Sequence, residues 1–184
     1  GYDYYLLNDI NLGTFTNRSL SIKSSNKRNI YGNNHTIYYA MNISQPNIFH
    51  GPSLFHYNEG IIYGLKINTT FIVSESHGIE WAGIARENYT GARIENCEVI
   101  INANVNCRNG DVGGIVVYNE GKIIKCIVKG NIVSSPGESG IGIGGIANVN
   151  GLYSSLDAEI IECTNEASIS GYSNIGGIVL QNDG

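Results

Sequence analysis

Glycoside hydrolysis requires two carboxylates on either side of one bond, and the acidic residues of this 184-residue chain are poorly arranged for it. There are five aspartates, Asp3, Asp9, Asp111, Asp157 and Asp183, with no Asp-Asp or Asp-x-Asp pair among them. Lyase chemistry would need a calcium ion held by clustered carboxylates beside a base, and the sequence carries no such cluster. The histidines, His35, His50, His56 and His77, form no His-x-x-x-His pair, although His50 and His56 flank Gly51-Pro52 and could meet in space. Cys97, Cys107, Cys126 and Cys163 include no Cys-x-x-Cys spacing, which argues against structural zinc. These residues assign no catalytic, cofactor-binding or metal-ligating position, and no cofactor is expected.

Aromatic side chains carry more weight, as contact residues. Tyr2, Tyr4, Tyr5, Tyr31, Tyr38 and Tyr39 all fall near the start of the chain. Exposed on a flat sheet, such rings stack on sugars or anchor a protein partner; turned inward, alternate members would instead cap the first coil. Tyr4, Tyr31, Tyr38 and the single tryptophan, Trp81, are the candidate ligand-contact residues. The formal net charge is −5, and the 11 Lys and Arg are scattered with only Lys27-Arg28 adjacent, which excludes a nucleic-acid interface. No apolar run reaches membrane-spanning length, so direct membrane insertion is not expected. Sequons at Asn17, Asn34, Asn42, Asn68 and Asn88 are about as frequent as chance gives in so asparagine-rich a chain, and say nothing of glycosylation.

The elements that must position these residues are set by a repeat. Gly113-Gly114-Ile115 returns as Gly144-Gly145-Ile146 and Gly176-Gly177-Ile178, with Ala82-Gly83-Ile84 as a looser copy; the middle glycines lie 31, 31 and 32 residues apart. A fixed period of this size is the signature of a solenoid. The phase between the steps repeats too: Tyr57-Asn58-Glu59-Gly60 recurs as Tyr118-Asn119-Glu120-Gly121, with relatives at Glu87-Asn88 and Asn148-Val149-Asn150-Gly151. Aligning the runs that follow puts Leu65, Cys97, Cys126 and Cys163 on one core column, with Leu152 to Asp157 as an insertion at the turn and Cys107 off the column, where it could be exposed. The same alignment puts Glu95 about one rung from Lys125 and Glu162, an alternation of sign that relieves repulsion on a solvated face.

Each repeat holds three short β runs, exemplified by residues 114–117, 123–128 and 130–133. With 24 glycines and 24 asparagines to make turns, only 15% charged residues and no helical apolar period, the chain reads as all-β. The expected fold is a parallel β-helix solenoid with about three strands per coil, right-handed by the crossover rule. Residues 1–52 read as N-terminal coils or a cap continuous with the solenoid, and residues 53–184 as the repeats, stopping mid-coil at Gln181-Asn182-Asp183-Gly184. The chain is therefore expected to be part of a longer protein.

The run Gly-Gly-Ile-Val-x-Tyr-Asn-x-Gly-x-Ile-x-x-Cys from Gly113 to Cys126 resembles the GLUG repeat of bacterial surface proteins. The segments around Tyr5-Leu6-Leu7-Asn8-Asp9-Ile10 and Gly32-Asn33-Asn34-His35-Thr36-Ile37 resemble the coils that precede such repeats. Similar arrays occur in adhesins and in the N-terminal β-helix of immunoglobulin-A-cleaving zinc metalloproteases, a pectin-lyase-like solenoid. The resemblance implies a cell-surface or secreted location; the chain departs from it at Ala82 and after Asn150. The leading expectation is a non-catalytic structural or adhesive segment, a rigid scaffold or ligand-display rod. Its partners would be a protein or glycan ligand, or further domains of the same polypeptide. The alternative is a non-catalytic N-terminal module of a large secreted protease or carbohydrate-active enzyme, and the third reading a polysaccharide-degrading β-helix.

Overall fold

Strict alternation along single strands generates the fold. In Thr36–Ile43, Ile37, Tyr39, Met41 and Ile43 are buried while Tyr38 and Asn42 are exposed, as a pleated strand with one face on a core requires. The computed structural model describes residues 3–16, 27–44, 53–76, 78–107, 109–135, 140–151, 157–171 and 174–183. It is an all-β parallel solenoid of about five turns, with no helix among the described residues. Tyr2, His50, His77, Asn17 and most of the insertion after Gly151 lie outside those residues.

The described strands stack into four parallel sheets. Sheet I holds the short strands Tyr4–Tyr5, Ile30–Tyr31, Ile61–Tyr63, Arg93–Glu95, Lys122–Ile124 and Glu159–Ile161. Sheet II holds the long ones, Ile10–Thr16, Thr36–Ile43, Lys66–Ser76, Glu98–Cys107 and Ile127–Ser134, followed by Thr164–Asn165 and Ser168–Ser170. Sheet III contains Ile79–Ala82, Gly110–Gly113, Ile141–Gly144 and Ile175–Gly176; sheet IV contains Phe55–Asn58, Ala85–Asn88, Val116–Asn119, Ala147–Asn150 and Val179–Asn182. Described strands of residues 1–52 pair directly with repeat strands: Ile30 with Ile62, and Ile37 with Ile67.

A full coil thus has four strands where the sequence pattern suggested three. The Gly-Gly-Ile step is not the start of a strand; it is the bend between sheets III and IV. There a Cβ on Gly113 would fall 1.6 Å from the Val116 carbonyl oxygen, and one on Gly114 would fall 2.0 Å from the Gly145 carbonyl of the next rung. Only glycine permits both approaches. The corner between sheets I and II is made differently: Gly64, Asn96, Lys125 and Glu162 stand on one column with φ of 63°, 53°, 53° and 51°. Glycine and asparagine suit that left-handed backbone, while Lys125 and Glu162 adopt it at a cost.

Inside the coils, Ile62, Ile94 and Ile123 stack on sheet I, and Ile67, Val99 and Val128 stack on sheet II, all at most 1% exposed. Burying each such side chain contributes about 1.5–3 kcal/mol. Trp81 lies in this core, 0% exposed, stacked on Phe71 with ring centroids 4.3 Å apart and planes 4° from parallel. Its place corrects the expectation that it contacts a ligand: on Ile79–Ala82 the inward positions are Ile79 and Trp81, and Glu80 takes the outward one. Cys107 is likewise buried, with Sγ 3.3 Å from the Asn109 carbonyl oxygen, against the expectation of an exposed thiol.

Candidate functional site

The column expected from the alignment is present. Leu65, Cys97 and Cys126 are buried in consecutive rungs and Cys163, on the last, is partly covered. Each thiol faces the carbonyl of an isoleucine one rung below: Cys97 to Ile62 at 3.7 Å, Cys126 to Ile94 at 3.5 Å and Cys163 to Ile123 at 3.5 Å. The Cys126 thiol contact and burial push the Cys163 thiol upward. For Cys126, the contact with Cys163 favours the thiolate, but the Cys97 contact and burial outweigh it and raise the pKa. The raised values keep Cys126 and Cys163 as packed thiols rather than thiolates.

A second column runs beside it. Asn58, Asn88, Asn119 and Asn150 are buried, and each donates Nδ2 to the Oδ1 of the next, ending on Asn182, at 2.7 to 2.8 Å. The other hydrogen of the Asn119 amide goes to the Gly121 carbonyl at 3.0 Å, so the ladder also closes the turn from sheet IV to sheet I. The Tyr-Asn-Glu-Gly recurrence marked this turn in the sequence; that its asparagines form a continuous buried ladder went unread. Asn88, one of the sequons, is spent entirely in it.

The most chemically loaded cluster sits outside the core, in the concave angle between sheets III and IV. The Tyr118 hydroxyl lies 2.8 Å from Glu80 Oε1 and 2.8 Å from Asp111 Oδ2. The hydroxyl has one hydrogen, which it directs toward the two carboxylate oxygens. Arg86 Nε donates to Glu80 Oε2 at 2.5 Å. Burial raises the Asp111 pKa, and the Tyr118 hydrogen bond opposes the rise. Burial alone would weaken the Arg86 charge, but Glu80 outweighs it and raises the guanidinium pKa. Arg86 pairs with Glu87 as well and lies 5.3 Å over the Tyr118 ring.

Two carboxylates do therefore meet, though no Asp-Asp or Asp-x-Asp spacing announces them. Glu80 and Asp111 are paired residues of neighbouring rungs, each three positions before the middle glycine of its step. The same period that located the cysteine column would have located them. Among the described residues no group of three or more His, Cys, Asp or Glu is placed to hold a metal ion.

No protein-family model, curated protein or solved structure matches this chain. The β-helix stands on its own geometry.

On the β-helix surface the tyrosines divide. Tyr5, Tyr31 and Tyr63 form an outward column on sheet I, with Tyr5 and Tyr31 stacked at 4.9 Å and Tyr31 and Tyr63 tilted at 6.3 Å. Tyr31 is half-buried in that column and spends its ring faces on its neighbours. Tyr4 is 53% exposed with Arg28 over its ring, and Tyr38 is 39% exposed on sheet II. The expected sign alternation also needs correction. Glu95 shares its rung position with Ile124, not Lys125, and pairs with Arg93 at 2.6 Å; Lys125 pairs with Glu162 at 3.5 Å. His35 sits beside Asp9 at 3.3 Å, and His56 stands edge-on to Tyr57.

Sheet II presents one further surface. Thr14, Ala40, Thr70, Asn102, Asn131 and Ser168 form one outward column across six strands. Two residues along, Thr16, Asn42, Ile72, Asn104, Val133 and Ser170 form the next, exposed at every position. Neither column contains a charged side chain. Toward sheet I, by contrast, the outward columns carry Lys66, Glu98 and Lys129, the last two paired at 2.8 Å.

Proposed function

We propose that this chain is a non-catalytic, GLUG-like β-helical segment of a larger cell-surface or secreted protein, a stiff rod that displays its flat faces and loops in fixed register. The observation that carries this reading is the asparagine ladder. A hydrogen-bonded register, buried from Asn58 to Asn150 and ending on exposed Asn182, ties successive coils into one rigid unit. The carboxylates that could serve hydrolysis are already engaged: Tyr118 bridges Glu80 and Asp111, and Arg86 holds Glu80. The resemblance of Gly113 to Cys126 to the repeats of surface adhesins points the same way.

The test is direct. The purified chain is incubated with mixed-linkage β-glucan, galactomannan, arabinoxylan and polygalacturonate, and products are followed as new reducing ends and as unsaturated uronides. No release is expected. Release that disappears in Glu80→Gln or Asp111→Asn would overturn the scaffold reading, and antibody labelling of intact cells checks the surface location.

A further inference from the structure

We propose that the strip formed by the two charge-free outward columns of sheet II is a binding surface for a neutral polysaccharide lying along the rod. The chain places charged side chains on sheet I, as Arg93, Glu95, Lys122 and Glu159, and on the neighbouring columns of sheet II. It leaves two adjacent columns of sheet II with none. At a strand spacing of about 4.8 Å, six strands give a strip roughly 24 Å long and only about two side chains wide. Such a strip covers a few hundred Å² at most, well short of the roughly 800 Å² per partner of a standard protein interface. A second copy of the chain or a globular partner would gain too little there. An extended polymer, whose ring-to-ring repeat is comparable to the strand spacing, uses the whole length.

The chemistry of the strip suits uncharged sugars. The amides of Asn42, Asn104 and Asn131 each donate and accept, matching hydroxyls that do the same. Between them Ile72 and Val133, 43% and 40% exposed, offer apolar contacts for the CH faces of the rings. Tyr38, 39% exposed on the adjoining column, supplies an aromatic ring near one end. An anionic polymer would meet no cation on this strip and a net charge of −5 behind it.

This assignment rests on the reading of the chain as a display scaffold, and the experiment separates the two. The intact chain is run through native gels containing β-glucan, galactomannan or arabinoxylan, with polygalacturonate as the charged comparison. Retardation by at least one neutral polymer and not by polygalacturonate is expected. Asn104→Asp and Thr70→Lys, each placing a charge on the strip, should weaken it at least about tenfold with an unchanged thermal midpoint. Ile161→Lys, on sheet I, should leave it unaltered. Failure of all three neutral polymers to retard the chain overturns the proposal, as does wild-type retardation of the folded strip variants. Shaping of ice crystals, or a dimer abolished by Asn104→Asp, would assign the strip to ice or to a second copy and equally overturn it. New reducing ends from the retained polymer would defeat the scaffold reading while leaving the binding face in place; loss of binding alone would defeat only the face.

Discussion

Asn119 and Asn150, 31 residues apart, are joined by a buried side-chain hydrogen bond of 2.7 Å, and Asn119 accepts a matching one from Asn88. Each asparagine is donor and acceptor to a different rung, so the column polarises along its length and fixes the register of sheet IV. Truncating one member breaks both of its ladder bonds and its bond to the turn carbonyl. Asn119→Ala removes the ladder acceptor of the Asn88 amide, which keeps only the Lys122 carbonyl at 3.4 Å. It also removes the ladder donor of the Asn150 side-chain carbonyl and the donor to the Gly121 carbonyl, at a site that is 0% exposed. At about 1–3 kcal/mol per stranded group, the loss should be about 2–5 kcal/mol, read from urea denaturation. A midpoint within experimental scatter of wild type would mean that the ladder adds no stability beyond the strands it joins.

The Asp111 carboxyl should make stability depend on pH with a definite sign. Its pKa is raised in the folded chain, chiefly by burial, so the folded state binds the proton more tightly than the unfolded state does. The resulting stabilisation is fully present below the ordinary value of 3.8 and is lost as pH rises through the raised folded value. Asp111→Asn keeps the shape and removes the titration. Thermal midpoints measured upward from about pH 4 should fall for wild type relative to Asp111→Asn. Parallel curves for the two proteins would rule out a raised Asp111 pKa as the source of the pH dependence.

Much of this architecture was open to a reading of the repeat, and the omissions share a cause. Columns along the stack, such as Leu65, Cys97, Cys126, are one-dimensional: once the period is known, residues at equal phase must neighbour one another. Contacts across the coil require the angles between sheets as well. Tyr118 meets Asp111 and Glu80 because the chain folds sharply back at Gly113-Gly114, and the sequence gives the glycines without the angle. Trp81 was ambiguous for a related reason. A short strand beside a bend has too few residues for its alternation to establish which face is inward, and the Phe71 ring that covers Trp81 comes from a different sheet.

The left-handed corner offers a stabilising substitution. Lys125 holds φ at 53°, a conformation that costs a side chain with an ordinary Cβ about 1 kcal/mol and that Gly64 and Asn96 take up on the same column. Its ion pair with Glu162 is solvent-exposed, with an Nζ–Oε2 distance of 3.5 Å, and offsets little of that. Lys125→Gly should raise stability by about 0.5–1 kcal/mol in urea denaturation. Destabilisation instead would show that the exposed pair outweighs the backbone strain.

The cysteine column supplies a graded test of the core. Cys126 is 0% exposed, whereas Cys163, on the last described rung, is only partly covered. A carboxylate at Cys126 would be enclosed between the Cys97 and Cys163 rungs with no cation to pair it, and the chain would have to keep it protonated or open to water. Cys126→Asp should therefore abolish cooperative thermal unfolding at neutral pH. Cys163→Asp, with solvent within reach, should cost several-fold less in free energy and retain a sharp transition. If both variants melted alike, the difference in cover between the two rungs would have no energetic consequence. If Cys126→Asp kept the wild-type midpoint, the column would not lie in the core at all.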